Sequence, residues 1–433
     1  MSRRFILRVL GALPPVSLLA CSTLLGFETL TLDENAFDGG VRDGAASSSE
    51  SGVTEGDASD DGSALPDAGP TADAADGATC LADTANDKQN CGRCGHDCLG
   101  GDCKGGVCQA AKLADSLAQP LGLAVDDKNI FVAEYDQNRI ISFSKSTVPG
   151  KCNSVSTILS CVFADQPGTF KPVAMAIDAD NVYWSNDGPG DPGEIRSCPR
   201  TGCGGSGPRL VATLVADAYV TDIQIAGGLL YWAENQGSAI RRSQPDGGAK
   251  LTLLESSSYS PFHLAVDDAR VFFTEDGNNQ PGPTSIRAVQ IDGGGGAPKA
   301  VAESDAKTHG IALTPGGDIY WTAPQTGNVW TAPKTATGQA PASSFASSQV
   351  ELAAIVADAN NVYWIQSGSD TVADGMIVMC PLAGCPATGP IVLAEKQNYP
   401  RYLTQDDTAL YWSNEGLVTS ATYDGQVWKI AKP

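Results

Sequence analysis

From Leu121 onward one phrase recurs: a short apolar run ending near Asp, a brief turn, then an aromatic pair. It reads Ala124-Val125-Asp126 before Ile130-Phe131-Val132, Ala176-Ile177-Asp178 before Val182-Tyr183-Trp184, Ala265-Val266-Asp267 before Val271-Phe272-Phe273, and Ala357-Asp358 before Val362-Tyr363-Trp364. Leu229-Leu230-Tyr231-Trp232, Ile319-Tyr320-Trp321 and Leu410-Tyr411-Trp412 complete the set. The first aromatic residue of each copy stands at 131, 183, 231, 272, 320, 363 and 411, so seven units follow one another at intervals of 41 to 52 residues. Such a period demands a repeat architecture, because one unit cannot bury its own apolar face and must stack on the next.

Each unit continues with a polar Gly-rich loop, a strand such as Glu194-Ile195-Arg196-Ser197 or Ala239-Ile240-Arg241-Arg242, a Pro/Gly turn, and a further strand such as Arg209-Leu210-Val211-Ala212 or Ile391-Val392-Leu393-Ala394. Four short strands per repeat without helical periodicity is the grammar of a β-propeller blade. With 48 Gly and 26 Pro, a helical core is excluded. The expected fold is all-β, a seven-bladed β-propeller over residues 109–433. The last copy ends at Gln426-Val427-Trp428-Lys429-Ile430 without an outer strand, while Gln109 to Leu117 reads like an orphan one. That N-terminal strand is therefore expected to complete the seventh blade and close the ring. Five of the seven Trp fall in the aromatic pairs, where their expected work is packing between blades.

The phrase resembles the YWTD repeat of low-density-lipoprotein-receptor-type propellers and the related NHL group. Ile240-Arg241-Arg242-Ser243-Gln244-Pro245-Asp246-Gly247-Gly248 follows the continuation of that family, although the acidic end of the phrase drifts through Glu134, Asn186, Glu234, Glu275, Gln366 and Asn414. The resemblance implies a fold and leaves function open.

The chain opens with Arg3, Arg4 and Arg8, then an apolar run from Val9 to Leu19, too short for a permanent membrane span and expected to be a cleavable export signal over 1–20. Leu18-Leu19-Ala20-Cys21 resembles the lipobox of bacterial lipoproteins. The resemblance implies a lipid on Cys21 as the first mature residue, and Ser22 after it implies delivery to an outer membrane or cell surface. Ser2-Arg3-Arg4-Phe5-Ile6-Leu7-Arg8 also resembles a twin-arginine signal, so both export routes stand open. Residues 21–79 are rich in Asp, Gly, Ala and Ser, with 13 acids against one cation, Arg42. Such a stretch lacks the apolar surface to offset ordering and is expected to be a disordered tether, with a reach of roughly 40 to 45 Å as a flexible coil. The net charge of -22 argues against a nucleic-acid partner. Contact with the membrane is expected through the lipid alone.

Apart from Cys21, twelve cysteines remain, an even number suited to an oxidising compartment. Cys80, Cys91, Cys94, Cys98, Cys103 and Cys108 crowd residues 80–108, in a pattern that resembles cysteine-rich modules of secreted myxobacterial proteins, akin to the stigma-specific type. So short a segment cannot bury a core, and disulfides are expected to hold it together. Cys91-x-x-Cys94 beside His96 also fits half a zinc site, which six mutually paired cysteines would preclude. The remaining cysteines suggest local pairs, Cys152 with Cys161, Cys198 with Cys203 and Cys380 with Cys385. Cys198-Pro-Arg-Thr-Gly-Cys203 and Cys380-Pro-Leu-Ala-Gly-Cys385 share one pattern, that of a stapled turn.

No metalloprotease, Walker or nucleophile-elbow motif is present. Gly202-x-Gly204-x-x-Gly207 lies in a Cys-Pro turn with no helix to follow, which denies it a dinucleotide role. Aligned blades offer the remaining route. At the start of each innermost strand stand Gly122, Ala174, Asp222, His263, Gly310, Ala354 and Tyr402; one residue earlier stand Leu121, Val173, Thr221, Phe262, His309, Ala353 and Arg401. Asp222, His263, His309, Arg401 and Tyr402 thus form the candidate ligand site at the channel mouth, and two of the chain's three His belong to it. The loops from Asn186 to Gly193, Asp276 to Thr284 and Gly368 to Gly375 are expected on the same face. Neighbouring His and Asp suit acid-base work or a divalent cation, yet no catalytic residue, metal or cofactor is assigned. Streptogramin lyases resemble the layout at fold level only. Three functions follow from this reading: a lipid-anchored binding scaffold for a protein or glycan, a lyase- or lactonase-like enzyme, or a structural envelope protein.

Overall fold

A computed structural model describes residues 83–146, 161–165, 171–187, 192–216, 218–275, 285–294, 296–304, 307–337, 340–420 and 422–433. The export signal, Cys21, the tether, Cys80, Cys152, the loop from Asp276 to Thr284 and residues 188–191 of the loop from Asn186 to Gly193 lie outside the described residues. Seven antiparallel sheets run from an innermost strand outward. The innermost strands are Pro120–Val125, Pro172–Ile177, Val220–Ala226, Pro261–Val266, Ile311–Leu313, Leu352–Ala357 and Pro400–Gln405, in blades one to seven. Ala111–Leu117 pairs antiparallel with Gly425–Ala431, so the N-terminal strand does complete the seventh blade. Blade four departs from the expected four strands. Ala340–Pro341, on the way to the outer strand of blade five, pairs parallel with Lys299–Glu303 and covers part of that exposed edge.

The aromatic pair explains why the ring holds. Successive strand residues point to opposite faces of a sheet, so one aromatic faces the next blade and the other faces the preceding one. Phe131 of blade one meets Trp184 of blade two, Tyr183 meets Trp232, and Tyr231 meets Phe273. Phe272 meets Trp321, Tyr320 meets Trp364, and Tyr363 meets Trp412. Tyr411 closes the circle against Val132 of blade one. All five of these Trp are at most 1% exposed, which settles their work as packing between blades.

The two polar ends of the phrase are also structural. At the hairpin between the first two strands of a blade, an Asp side chain accepts backbone amides two and three residues on; Asp406 accepts from Thr408 and Ala409, both at 2.8 Å. Tyr411 donates its hydroxyl to the same carboxylate at 2.9 Å, and Lys145 of the next blade reaches it at 2.5 Å. Lys432 bridges back to Asp358, Lys334 to Asp267 and Arg200 to Asp126 in the same sense. The drifting acidic end is a buried clasp: Glu134 holds Arg139, Glu234 holds Arg241 and the Trp232 indole, and Glu275 holds Arg287.

Disulfides join Cys91 to Cys103, Cys98 to Cys108, Cys198 to Cys203 and Cys380 to Cys385, and Cys94 and Cys161 are disulfide-bonded as well. These bonds mark the folded part as the product of an oxidising, extracytoplasmic compartment. The Cys-Pro-x-x-Gly-Cys turns are staples, with Gly202 and Gly384 in the left-handed region at φ 114° and 119°. Their second sulfurs rest against the Phe163 and Phe345 carbonyls of the preceding blades. Cys91 bonds Cys103, and the ring nitrogens of His96 lie 2.7 Å from the Cys91 carbonyl oxygen and 2.8 Å from that of Lys432. Both nitrogens are therefore engaged, and neither side chain offers half a zinc site. The module packs on Ala431, where the closing strand begins. Gly202, Gly204 and Gly207 lie in a turn with a single three-residue 3₁₀ segment, away from any strand-to-helix junction. Among the described residues no helix is long and apolar enough to cross a membrane.

Candidate functional site

An innermost strand pairs on one side only, so its free edge turns backbone N–H and C=O groups toward the axis. Residues from all seven innermost strands and their flanks line a channel of about 500 Å³. Gly122, Ala174, Asp222, His263, Gly310, Ala354 and Tyr402 all line it. In the next ring outward Leu121, Val173, Thr221 and Ala353 are buried, whereas Phe262, His309 and Arg401 remain partly exposed. The mouth is thus lopsided. Its open polar arc runs over blades three, four, five and seven, while small side chains close the remainder.

Second-strand hydroxyls set the ring in place. Thr274 donates to the His309 carbonyl at 2.7 Å, Thr322 to that of Ala353 at 3.0 Å, and Ser413 to that of Leu121 at 2.9 Å. Each ties one blade to the next. Asp222 ties blade three to blade four by accepting the Leu264 amide at 2.8 Å, and Gln224 donates to both of its oxygens at 3.0 and 3.2 Å. The Thr221 hydroxyl adds a second tie to the Phe262 carbonyl. His263 Nδ1 lies 3.6 Å from Asp222 Oδ2, beyond hydrogen-bond range. The Phe262 ring stands edge-on to the imidazoles of His263 and His309, whose centroids are 5.0 Å apart.

His309 Nδ1 is buried and has no hydrogen-bond partner. Burial, reinforced by His263 and Arg401, holds this imidazole well below the usual histidine range. Arg401 lies 5.3 Å above the Tyr399 ring and has no hydrogen-bond or ion-pair partner among the described residues. Burial opposes its charge, but Tyr399, Glu415, Tyr402 and Glu351 outweigh that and raise its pKa. The Tyr402 phenol is pushed up, mainly by burial, and stays protonated.

A second tier escaped sequence reasoning. The residue following the second strand donates its amide to the carbonyl just ahead of the innermost strand: Asp187 to Lys171, Asn235 to Tyr219 and Glu415 to Tyr399, at 2.8 to 3.0 Å. Asp187, Tyr219 and Glu415 all lie within electrostatic reach of Tyr402. Asp187 Oδ2 is buried without a partner, and burial pushes this carboxyl well above the usual carboxylate range. Glu415 accepts Gln119 Nε2 at 2.6 Å. The available signal was positional, since Asp187, Asn235 and Glu415 each stand four places after the aromatic marker. The loop from Gly368 to Gly375 lies on this same face, where the Asp370 carbonyl accepts the Val418 amide at 2.8 Å.

Among the described residues, the one set of three His, Cys, Asp or Glu side chains at chelating spacing is Cys91, Cys98 and Cys103, whose sulfurs are in disulfides.

No family model matches the sequence, and no curated protein matches it. Solved structures do. A streptogramin B lyase structure aligns with a TM-score of 0.54 at 13% identity, over 74% of this chain and 97% of that one. A catalytically inactive histidine-to-alanine variant of virginiamycin B lyase from Staphylococcus aureus with quinupristin aligns with a TM-score of 0.54 at 15% identity, over 75% and 99%. Identity this low shows a shared propeller fold and nothing of activity.

Proposed function

We propose that this chain is an exported, lipid-anchored binding protein whose propeller mouth receives a protein or glycan partner outside the cytoplasm. The observation that carries the reading is the open arc of Asp222, His263, His309, Arg401 and Tyr402 over a channel of about 500 Å³, a volume suited to a small ligand or a protruding group. Anchoring at Cys21, an outer-membrane or surface address and the tether over residues 21–79 belong to the same proposal, supported by the lipobox-like Leu18-Leu19-Ala20-Cys21 and by the disulfides. The geometry favours binding over acid-base catalysis, because the Asp222 oxygens already serve Leu264 and Gln224 and Oδ2 stands 3.6 Å from His263 Nδ1.

An array of glycans and peptides probed with the native protein tests the reading, with a His263→Ala/His309→Ala variant alongside. Retention by the native protein and its loss in the variant is the expected result. Ligands held equally by both would move the site away from the mouth. Intact-mass measurement checks the anchor, with a diacylglyceryl adduct on a chain beginning at Cys21 expected.

A further inference from the structure

We infer that the mouth recognises an acidic glycan, with Arg401 taking its carboxylate; the inference rests on the mouth being the binding site. Elsewhere in the blades, arginines beside acids are committed. Arg139, Arg196, Arg241 and Arg287 hold Glu134, Glu194, Glu234 and Glu275 at 2.5 to 3.0 Å. Arg401 differs. It is partly exposed, lies over the Tyr399 ring and has no hydrogen-bond or ion-pair partner among the described residues. A guanidinium held over a ring without a hydrogen-bond partner leaves its planar fork of N–H donors free, and that fork can take a carboxylate by two parallel bonds.

The surroundings favour a hydroxyl-bearing ligand over a bare anion. His309 Nδ1 and Asp187 Oδ2 are buried without partners. Burial favours the uncharged form of each group, and neutral polar atoms lacking a partner are matched by hydroxyls rather than by ions. Of the carboxylates whose charge reaches Arg401, Glu415 is engaged with Gln119 and the exposed Glu351 acts through its charge alone, while Asp222 is engaged with the Leu264 amide and Gln224. Phe262 and Tyr402, both partly exposed at the mouth, supply aromatic surface against which the C–H groups of a sugar ring can pack. An extended peptide would need a long accessible strand edge, whereas the free edges here lie inside a channel of about 500 Å³.

Calorimetric titration of the full mature chain in detergent with trigalacturonate, maltotriose and a pentapeptide bearing a free C-terminal carboxylate tests the inference. Trigalacturonate is expected to bind best, with affinity falling ~10- to 100-fold in Arg401→Gln and less in Arg401→Lys, and weakening as salt rises. Arg401→Lys keeps the charge, so it reads the site even if the Gln variant folds poorly. Equal binding of trigalacturonate and maltotriose, unaffected by either variant, overturns the acidic-group claim and leaves the mouth as the site. Binding of the peptide alone overturns the glycan class. Failure of all three overturns the inference, and the wider reading then stands or falls on the array with the histidine variant.

Discussion

The two faces of the propeller use carboxylates and cations in opposite ways. On the hairpin face, Asp126, Asp267, Asp358 and Asp406 each accept backbone amides and meet a Lys or Arg from the following blade. On the mouth face, His309 Nδ1 and Asp187 Oδ2 are buried without partners, and Arg401 lies over an aromatic ring with its fork free of the described residues. Burying polar groups without partners is unfavourable, so a fold tolerates it where something else will satisfy them. One face thus holds the ring together, and we propose that the other receives the ligand.

The contrast predicts divergent responses to substitution. Asp406→Ala strands two amides, the Tyr411 hydroxyl and Lys145 on the hairpin face, and should destabilise the protein by about 2 to 3 kcal/mol in chemical denaturation, discounted for the partial exposure of the pair. A smaller loss would show that the latches are redundant. Replacing Cys198 and Cys203 by Ser opens a short loop on the same face and should cost about 2 kcal/mol while leaving ligand retention intact.

Acid separates the faces by window. His309 has a depressed folded-state pKa, so the unfolded chain binds its proton first and stability should begin to fall as pH drops below about 6.5. Asp267, Asp358 and Asp406 are also depressed, and their contribution, complete above about 4, should be lost as pH falls further. His309→Gln should erase the first phase and keep the second, as followed by thermal melts across pH. Smallest of all, Arg401→Gln should shift stability by about 1 kcal/mol or less, since it gives up the contact over the Tyr399 ring but breaks no hydrogen bond or ion pair with a described residue.

The architecture was legible because each blade repeats the same demand. An aromatic pair at a fixed place in the second strand must find a partner on either side, and Tyr183 against Trp232 or Tyr363 against Trp412 fulfils what the spacing implied. Asp222, His263 and Tyr402 reach the channel because the first residues of the innermost strands were alignable. Asp187, Tyr219 and Glu415 were not found from sequence. Their positions repeat, but the residue type changes from blade to blade, and their burial depends on loops that only the closed ring brings together. The pairing of Glu134 with Arg139 and of Glu275 with Arg287 was hidden for a related reason: the spacing between acid and base differs with each loop.

The most direct test is retention of the array-selected ligand by two variants side by side, His263→Ala/Arg401→Gln at the mouth and Asp406→Asn on the hairpin face. Retention lost in the first and kept in the second, despite its lower melting temperature, is the predicted result. Retention kept in the first and lost in the second would contradict the division of labour between the two faces.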